Sequence, residues 1–185
     1  MTQFTRRIAV LGTLAGMTLA ACGNGIGSNG AATIDARTDS SLNFMYDTYP
    51  GTRDLAGKAA GVLVMPVVTE IGLGLGGSFG RGALRVGDTT VDYYSSASGS
   101  AGLQIGAQQY SHVLFFMTQD ALLDFRRGQG WAAGADVTYA INDQGEMLQA
   151  ETTTSLAPVI AVVFAQAGLR VGATLEGTKY TRIIP

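Results

Sequence analysis

The sequence contains one cysteine and one histidine among its 185 residues. A single cysteine cannot form an intramolecular disulfide, and the pair supplies too few ligands for a zinc site. No serine lies in the Gly-x-Ser-x-Gly turn that a hydrolase of the Ser-His-Asp type needs. We therefore expect no metal, no cofactor and no catalytic residue, which indicates a protein that is not an enzyme.

Charge is also scarce. Charged residues make up 14% of the chain and hydrophobic residues 46%, a balance that excludes a disordered protein. The formal net charge is -2, whereas a nucleic-acid-binding protein normally carries a positive excess, so nucleic acid is excluded as a partner. The apolar run near the N-terminus, Ile8–Ala21, has fourteen residues and is shorter than the roughly 20 that span a bilayer.

The N-terminus has the layout of a signal peptide, with a basic head before the short apolar run. The run ends in Leu19-Ala20-Ala21-Cys22, which resembles the lipobox of bacterial lipoproteins. The resemblance implies cleavage after Ala21 and attachment of acyl chains to Cys22, and several chains anchor a protein firmly. An ordinary secretory signal with an incidental cysteine is the alternative.

These features divide the chain into a signal peptide at residues 1–21, a lipidated cysteine with a flexible tether at 22–33, and one folded domain at 34–185. The residue after Cys22 is Gly23, not the Asp that marks inner-membrane retention in some bacteria. We therefore expect an exported protein anchored to the outer membrane.

In the domain, apolar periodicity predicts helices over Asp35–Asp47, Thr52–Lys58 and Gln119–Arg127. Strands outnumber helices, and the two do not alternate regularly, which argues against a doubly wound parallel sheet. The prediction is a mainly β (α+β) fold: a curved or barrel-like antiparallel sheet, rich in glycine, with two or three short helices. The predicted strands are Val62–Val68, Ile71–Gly76, Val91–Tyr94, Val113–Met117, Val137–Ile141, Val159–Phe164 and Lys179–Ile184.

Glycine, with 26 residues, has a pattern of its own. Large residues alternate with glycine over Ile71–Gly76, and similar stretches recur at Gly102–Ala107 and Gly168–Ala173. We interpret the glycine face as a place where another backbone, a helix or a ligand approaches closely.

Four features that suggest chemistry have simpler structural interpretations. Gly72-x-Gly74-x-x-Gly77, with Asp92 downstream, has the spacing of a dinucleotide fingerprint, but the chain after it stays strand-like instead of opening a helix. His112 is predicted to be a hydrogen-bonded histidine at a strand end. Asp120 and Asp124 are predicted to lie on a solvated helix face, and Trp131 is predicted to anchor the core, with ligand stacking as its alternative.

Several motifs follow one another along the domain: Pro50-Gly51-Thr52-Arg53-Asp54-Leu55-Ala56, Gly61-Val62-Leu63-Val64-Met65-Pro66, Gly74-x-Gly76-Gly77-x-Phe79-Gly80-x-Gly82, Gly102-Leu103-Gln104-Ile105-Gly106-Ala107-Gln108, Gly130-Trp131-x-Ala133-Gly134-Ala135-Asp136 and Leu175-Glu176-Gly177-Thr178. From Thr52 onward, this order of motifs resembles the SYLF domain family. Asn142-Asp143-Gln144-Gly145 departs from the Gly-Pro-Val-Gly segment of many relatives. The resemblance implies lipid binding: animal relatives bind phosphoinositides through an amphipathic N-terminal helix and basic residues, and fungal relatives bind actin.

Arg53 and Lys58, on the predicted second helix, are the candidate residues for lipid phosphates, with ordinary surface charges as the alternative. The leading hypothesis is an envelope lipoprotein with a non-enzymatic lipid-binding domain of the phospholipid or phosphoinositide type. The alternative is a structural or protein-interaction module whose only lipid is its own anchor at Cys22, with an unknown protein partner. A hydrolase is a third hypothesis, which would require His112 beside a serine and a carboxylate in one cleft.

Overall fold

The computed structural model describes residues 28–128, 130–134, 137–139, 157–165, 168–169 and 175–185. Three helices and seven strands lie in this part of the chain, and one curled sheet contains all seven strands. The prediction of a mainly β fold with a curved sheet and few helices is confirmed. The elements are α1 (Gly30–Thr48), α2 (Gly51–Lys58), β1 (Gly61–Val86), β2 (Thr89–Phe116), α3 (Gln119–Arg127), β3 (Trp131–Ala132), β4 (Val137–Tyr139), β5 (Val159–Ala165), β6 (Gly168–Leu169) and β7 (Lys179–Ile183).

Helix α1 starts earlier than the sequence predicts. The amide of Thr33 donates to the carbonyl of Asn29 at 3.0 Å, which opens the helical ladder, so residues 30–33, which the sequence analysis places in the tether, are helical. The signal peptide, Cys22 and the first part of the tether lie outside the described residues. None of the described helices is both long and apolar enough to cross a membrane.

The first two strands form one long antiparallel hairpin. They pair from Gly61↔Phe116 to Val86↔Thr89, and Gly87 occupies the tight turn with a φ of +58°, which glycine adopts without strain. A bulge between Met65 and Val68 accommodates Pro66, which has no amide hydrogen to donate to a ladder. The sequence predicts two strands in this first arm, but the structure joins them into one of 26 residues.

The hairpin folds back on itself. A strand of 26 residues would extend about 85 Å if straight, yet the two ends of β1 lie against each other. A Cβ added at Gly82 would overlap the carbonyl oxygen of Val64, and one added at Gly80 would lie 3.0 Å from the carbonyl oxygen of Val67. The strand therefore reverses over residues 69–78, which we name the ribbon bend. Glycine permits close backbone approach as the sequence suggests, but at Gly80 and Gly82 instead of within Ile71–Gly76.

The remaining strands pair with β2 and with one another. Strand β5 lies beside residues 111–116 of β2, and β7 beside residues 93–97. Strand β3 pairs with β7, and β6 pairs with β5, in both cases antiparallel. Strand β4 pairs with β5 in parallel, so the sheet is not purely antiparallel. Of the predicted strand Val137–Ile141, the last two residues lie outside the described part.

The curled sheet has a core on each face. The inner core centres on Phe125, whose ring centroid lies 4.7 Å from those of Tyr94 and Phe116 and 5.4 Å from that of Trp131. Trp131 thus packs in the core, as predicted. The outer core lies between the sheet and helices α1 and α2, and its fully buried members include Met45, Val64, Val113, Phe115, Ile160 and Val162.

We predict that Gly82→Ala destabilises the domain by about 2–3 kcal/mol, because the new methyl group must push two backbone segments apart. The measurement is the urea concentration at the midpoint of unfolding. Gly99→Ala, on the other strand of the hairpin, is the control, because a Cβ there meets no described atom within 4 Å. Equal midpoints for the two variants would contradict the role assigned to Gly82.

Candidate functional site

Helix α1 is fixed to the folded hairpin by polar contacts along one side. Asp35 accepts hydrogen bonds from the hydroxyls of Thr90 at 2.9 Å and Tyr93 at 2.8 Å. Burial, with a further contribution from Asp35, raises the pKa of Tyr93 to about 12, so this phenol is a donor at neutral pH. One turn further along α1, Asp39 pairs with Arg85 at 2.7 Å.

The opposite side of α1 borders a groove above β1. Two cavities, of about 510 and 770 Å³, form it, and both are lined by Arg37, Pro66 and Val67. The first also includes Phe79 and Arg81 of β1. We name the two cavities together the α1 groove. The helix contributes Thr33, Ile34, Arg37, Ser40, Ser41 and Phe44 to its wall, a spacing of three to four residues that keeps them on one side.

The two ends of the α1 groove differ in chemistry. The first cavity holds the guanidinium groups of Arg37 and Arg81, the latter 5.9 Å from the centre of the Phe79 ring. The second contains Phe44 and Phe164, whose rings stack with centroids 5.8 Å apart. None of the described residues that line the groove is acidic, although the whole chain has a net charge of -2. Arg37 therefore lines both cavities, the first adds Arg81, and the second combines two stacked aromatic rings with the polar side chains of Ser40, Ser41, Gln109 and Ser111.

A buried hydroxyl group in the groove lacks a partner. The Oγ of Ser41 is inaccessible to solvent and has no hydrogen-bond partner among the described residues, and the same is true of Thr38 Oγ1, one turn earlier on the underside of α1. Ser111, across the groove, donates its hydroxyl to the carbonyl of Pro66 at 2.6 Å. Buried polar groups are normally hydrogen-bonded, so these two hydroxyls make the underside of α1 less stabilising than a fully paired one would be.

The structure places Arg53 and Lys58 outside the α1 groove. Arg53 pairs with Asp47 at 3.1 Å and lies 4.9 Å from the centre of the Tyr46 ring, while its side chain remains 58% exposed. Lys58 is the exposed last residue of α2, where the helix dipole favours a cation. Neither residue lines one of the described cavities, and their role in headgroup binding stays a prediction.

Sequence reasoning missed Arg37 and Arg81. Arg37 belongs to the series Ile34, Arg37, Ser41 and Phe44, which follows one side of α1. The predicted helix begins at Asp35 and therefore omits the first member of this series. Arg81 lies between Gly80 and Gly82, where the small neighbours let another part of the chain come close. That glycine pattern was the available signal, but it does not indicate which element approaches.

His112 lies inside β2, four positions before the last residue of the strand. It is fully buried, and its Nε2 is 2.8 Å from the hydroxyl of Tyr180, while Nδ1 has no partner among the described residues. Burial lowers the pKa of His112 to about 3, so the ring is neutral at physiological pH. A tyrosine hydroxyl, not a serine with a carboxylate, is the hydrogen-bond partner that the structure gives this histidine, so the arrangement does not support the hydrolase hypothesis.

Two other sequence features are also accounted for. Residues 72–77, which match the dinucleotide fingerprint, lie inside β1, and the strand continues to Val86 without opening a helix. Asp120 and Asp124 are exposed on α3, as predicted. In that helix the buried residues are Leu122 and Phe125, on the face that packs on the inner core.

Comparison with known families gives one match. Residues 97–182 match the family described as "Ysc84: Las17-binding protein actin regulator". The second half of the folded part, residues 97–182, is thus similar to the Ysc84 (SYLF) family. The resemblance inferred from the motifs is thereby confirmed. This SYLF family is of the lipid- and actin-binding type, consistent with a binding module and not with an enzyme. No curated protein matches the chain.

The family match begins inside β2 and therefore excludes most of the α1 groove. Among the residues that line the groove, Gln109, Ser111 and Phe164 fall within the match, whereas Arg37 and Arg81 precede it. The case for a ligand in this groove thus comes from its geometry and charge.

We predict that His112 makes the SYLF domain sensitive to acid. Its pKa is about 3 in the folded state and about 6.5 when unfolded, so the unfolded chain takes up the proton first as the pH falls. The contribution of the neutral His112 ring to the free energy of unfolding is complete above pH 6.5 and is lost as the pH falls toward 3. From pH 7.5 to 5.5, where most carboxylates stay ionised, the loss is about 1.4 kcal/mol.

Urea unfolding at the two pH values measures this loss. His112→Phe is expected to remove the difference, whereas the control Tyr180→Phe retains the buried histidine and should retain the difference. A pH dependence that His112→Phe leaves unchanged would show that another group causes it.

Proposed function

We propose that this chain is a non-enzymatic, phospholipid-binding lipoprotein of the bacterial envelope. Acyl chains on Cys22 attach it to the outer membrane, and the SYLF domain binds one lipid molecule in the α1 groove. The observation that supports this best is the lining of the groove: two guanidinium groups in the first cavity, two stacked aromatic rings in the second and no described acidic residue in either. A phospholipid offers an anionic phosphate to guanidinium groups and apolar chains to aromatic rings.

The cationic end suits a phosphate. A guanidinium group donates two parallel hydrogen bonds to phosphate oxygens, and such charge-assisted bonds are about twice as strong as neutral ones. Arg37 is exposed on α1 and makes no ion pair with another described residue, so its charge is available. Arg53, in contrast, already pairs with Asp47. We therefore assign the headgroup to Arg37 first, with Arg81 as the second guanidinium group in the same cavity, ahead of Arg53 and Lys58.

The other end suits part of an apolar chain. Phe44 and Phe164 form one wall, and Val67 and Pro66 form the floor shared by the two cavities. The two volumes lie within the range of about 300–1,000 Å³ that is typical of small-molecule sites. Apolar walls with a few polar groups are the usual composition of such sites.

A protein-interaction module anchored only by Cys22 is the second candidate. The family description favours it, because it names a Las17-binding protein and actin regulator, a protein-binding activity. In that case the domain itself would have no affinity for lipid.

We predict that the chain beginning at Gly23, without acyl chains, co-sediments with vesicles of phosphatidylethanolamine and phosphatidylglycerol. Arg37→Ala with Arg81→Ala should weaken binding by about tenfold or more, because two charge-assisted contacts are lost. Arg127→Ala with Lys179→Ala is the control, since it removes the same charge from exposed residues outside the groove. Arg53→Ala with Lys58→Ala tests the headgroup site predicted from the sequence.

The three double variants separate the candidate binding sites from one another. Loss of binding in the Arg37 and Arg81 double variant alone supports the α1 groove, whereas loss in the Arg53 and Lys58 double variant alone transfers the site to α2. Equal losses in all three double variants would indicate nonspecific attraction of charge. No binding of the unaltered domain to these vesicles would exclude lipid binding by the domain and leave the protein-interaction module.

We predict that the mature protein from a bacterial membrane fraction begins at Cys22 and carries acyl chains there. Intact-mass spectrometry should show a mass above that of residues 22–185 by one diacylglyceryl group and, in many bacteria, one more acyl chain. Cys22→Ser should leave the protein without acyl chains. A mature protein of unmodified mass would contradict lipid anchoring.

A further inference from the structure

The ribbon bend and its border carry two large apolar side chains that the fold leaves uncovered. Ile71 is 59% exposed and Phe79 is 52% exposed, whereas Val86, at the other end of the same strand, is 37% exposed. The two residues lie on β1, just after the bend begins and just after it ends. A strand normally directs such side chains into a core, so their exposure on one end of the molecule indicates a surface for contact.

This surface lies where the chain from Cys22 enters the domain. Asn29 and Gly30, at the start of α1, line the same cavity as Phe79 and Arg81. Seven residues, Gly23–Asn29, separate Cys22 from Gly30, so the entry point of α1 lies within about 27 Å of the anchored residue. Along β1, Val86 is seven residues beyond Phe79, or about 23 Å farther toward the opposite end.

The charges at this end suit a phospholipid surface. Arg37 and Arg81 lie in the cavity beside Phe79, and the acidic residue adjacent to Ile71 is Glu70, which is half-buried. The local balance is therefore one positive charge, whereas the chain from Cys22 onward, without Arg6 and Arg7, has a formal net charge of -4. With so small an excess, the attraction depends more on the apolar side chains than on charge.

We infer that the ribbon bend is a membrane-contact surface: Ile71 and Phe79 enter the interfacial layer of the phospholipid bilayer that holds the Cys22 anchor, and Arg81 lies at the level of the phosphates. The inference rests on the anchoring proposed above and concerns a surface that adjoins the α1 groove and extends beyond it to Ile71, which lines neither cavity. Because Phe79 and Arg81 also line the first cavity, this orientation turns the cationic mouth of the groove toward the bilayer. A lipid can then enter the groove without crossing water.

The single cysteine allows a direct test. Once Cys22 is acylated, a cysteine introduced elsewhere is the only free thiol in the protein. Ile71→Cys, Phe79→Cys and the matched control Val86→Cys, all on β1, are each labelled with an environment-sensitive fluorophore in the full acylated protein. The proteins are reconstituted in vesicles of phosphatidylethanolamine and phosphatidylglycerol.

Labels at positions 71 and 79 should be quenched by lipid-attached nitroxides and shielded from aqueous iodide, and the label at position 86 should show the reverse. As an independent measurement without labels, Ile71→Ser with Phe79→Ser in the chain beginning at Gly23 should weaken vesicle binding about tenfold, with little change on adding salt. Val86→Ser with Val91→Ser, two exposed apolar residues near the hairpin turn, is the control.

Equal exposure of all three labels to iodide would overturn the inference, as would a double variant at 71 and 79 that binds vesicles like its control. These results are distinguishable from failure of the proposed function. The intact mass of the protein reports acylation of Cys22. Vesicle binding by the Arg37 and Arg81 double variant reports lipid binding in the α1 groove. A domain can therefore bind lipid without inserting its bend, or insert without acyl chains.

Discussion

The close approach of the two ends of β1 is the constraint on which the rest of the fold depends. It occurs because Gly80 and Gly82 present no side chain to the backbone near Val64 and Val67. The folded hairpin then offers both of its ends to other elements: β5 extends one end of β2 and β7 extends the other. Helix α1 lies above the contact and bonds to residues of both strands of the hairpin. Larger residues at the two glycines would separate the ends and remove the floor of the α1 groove.

Helix α1 is held in an unusual way for a helix above a sheet. Its buried side consists of Ile34, Thr38, Ser41 and Met45. The hydroxyls of Thr38 and Ser41 have no described hydrogen-bond partner. The hydrogen bonds of Asp35 and the ion pair of Asp39 supply much of the specificity of its position. A polar underside stabilises the contact less than an apolar one of the same area would.

Local patterns in the sequence predict the short elements well. The bounds of α3 agree with the prediction, and β5 and β7 each differ from it by one residue at one end, because their apolar periodicity is self-contained. The continuity of β1 was not predictable in this way. Pro66 and the glycines resemble breaks between strands, and only the pairing partner β2 shows that the chain continues through them. Arg37 and Arg81 are 44 positions apart, and only the return of β1 beneath α1 brings them into one cavity.

The two-residue turn at Gly87 has a consequence for how the domain forms. Pairing begins between residues that are nearly adjacent in sequence and proceeds to Gly61 and Phe116, the most distant pair of the hairpin. Each new pair closes only a small additional loop, so the long hairpin can close progressively from the turn without a large entropic barrier. The contact at Gly82 comes afterwards, since it requires both ends of β1 to be paired. A chain that crosses a membrane unfolded can therefore close this hairpin soon after residue 116 has emerged, before its C-terminal strands are available.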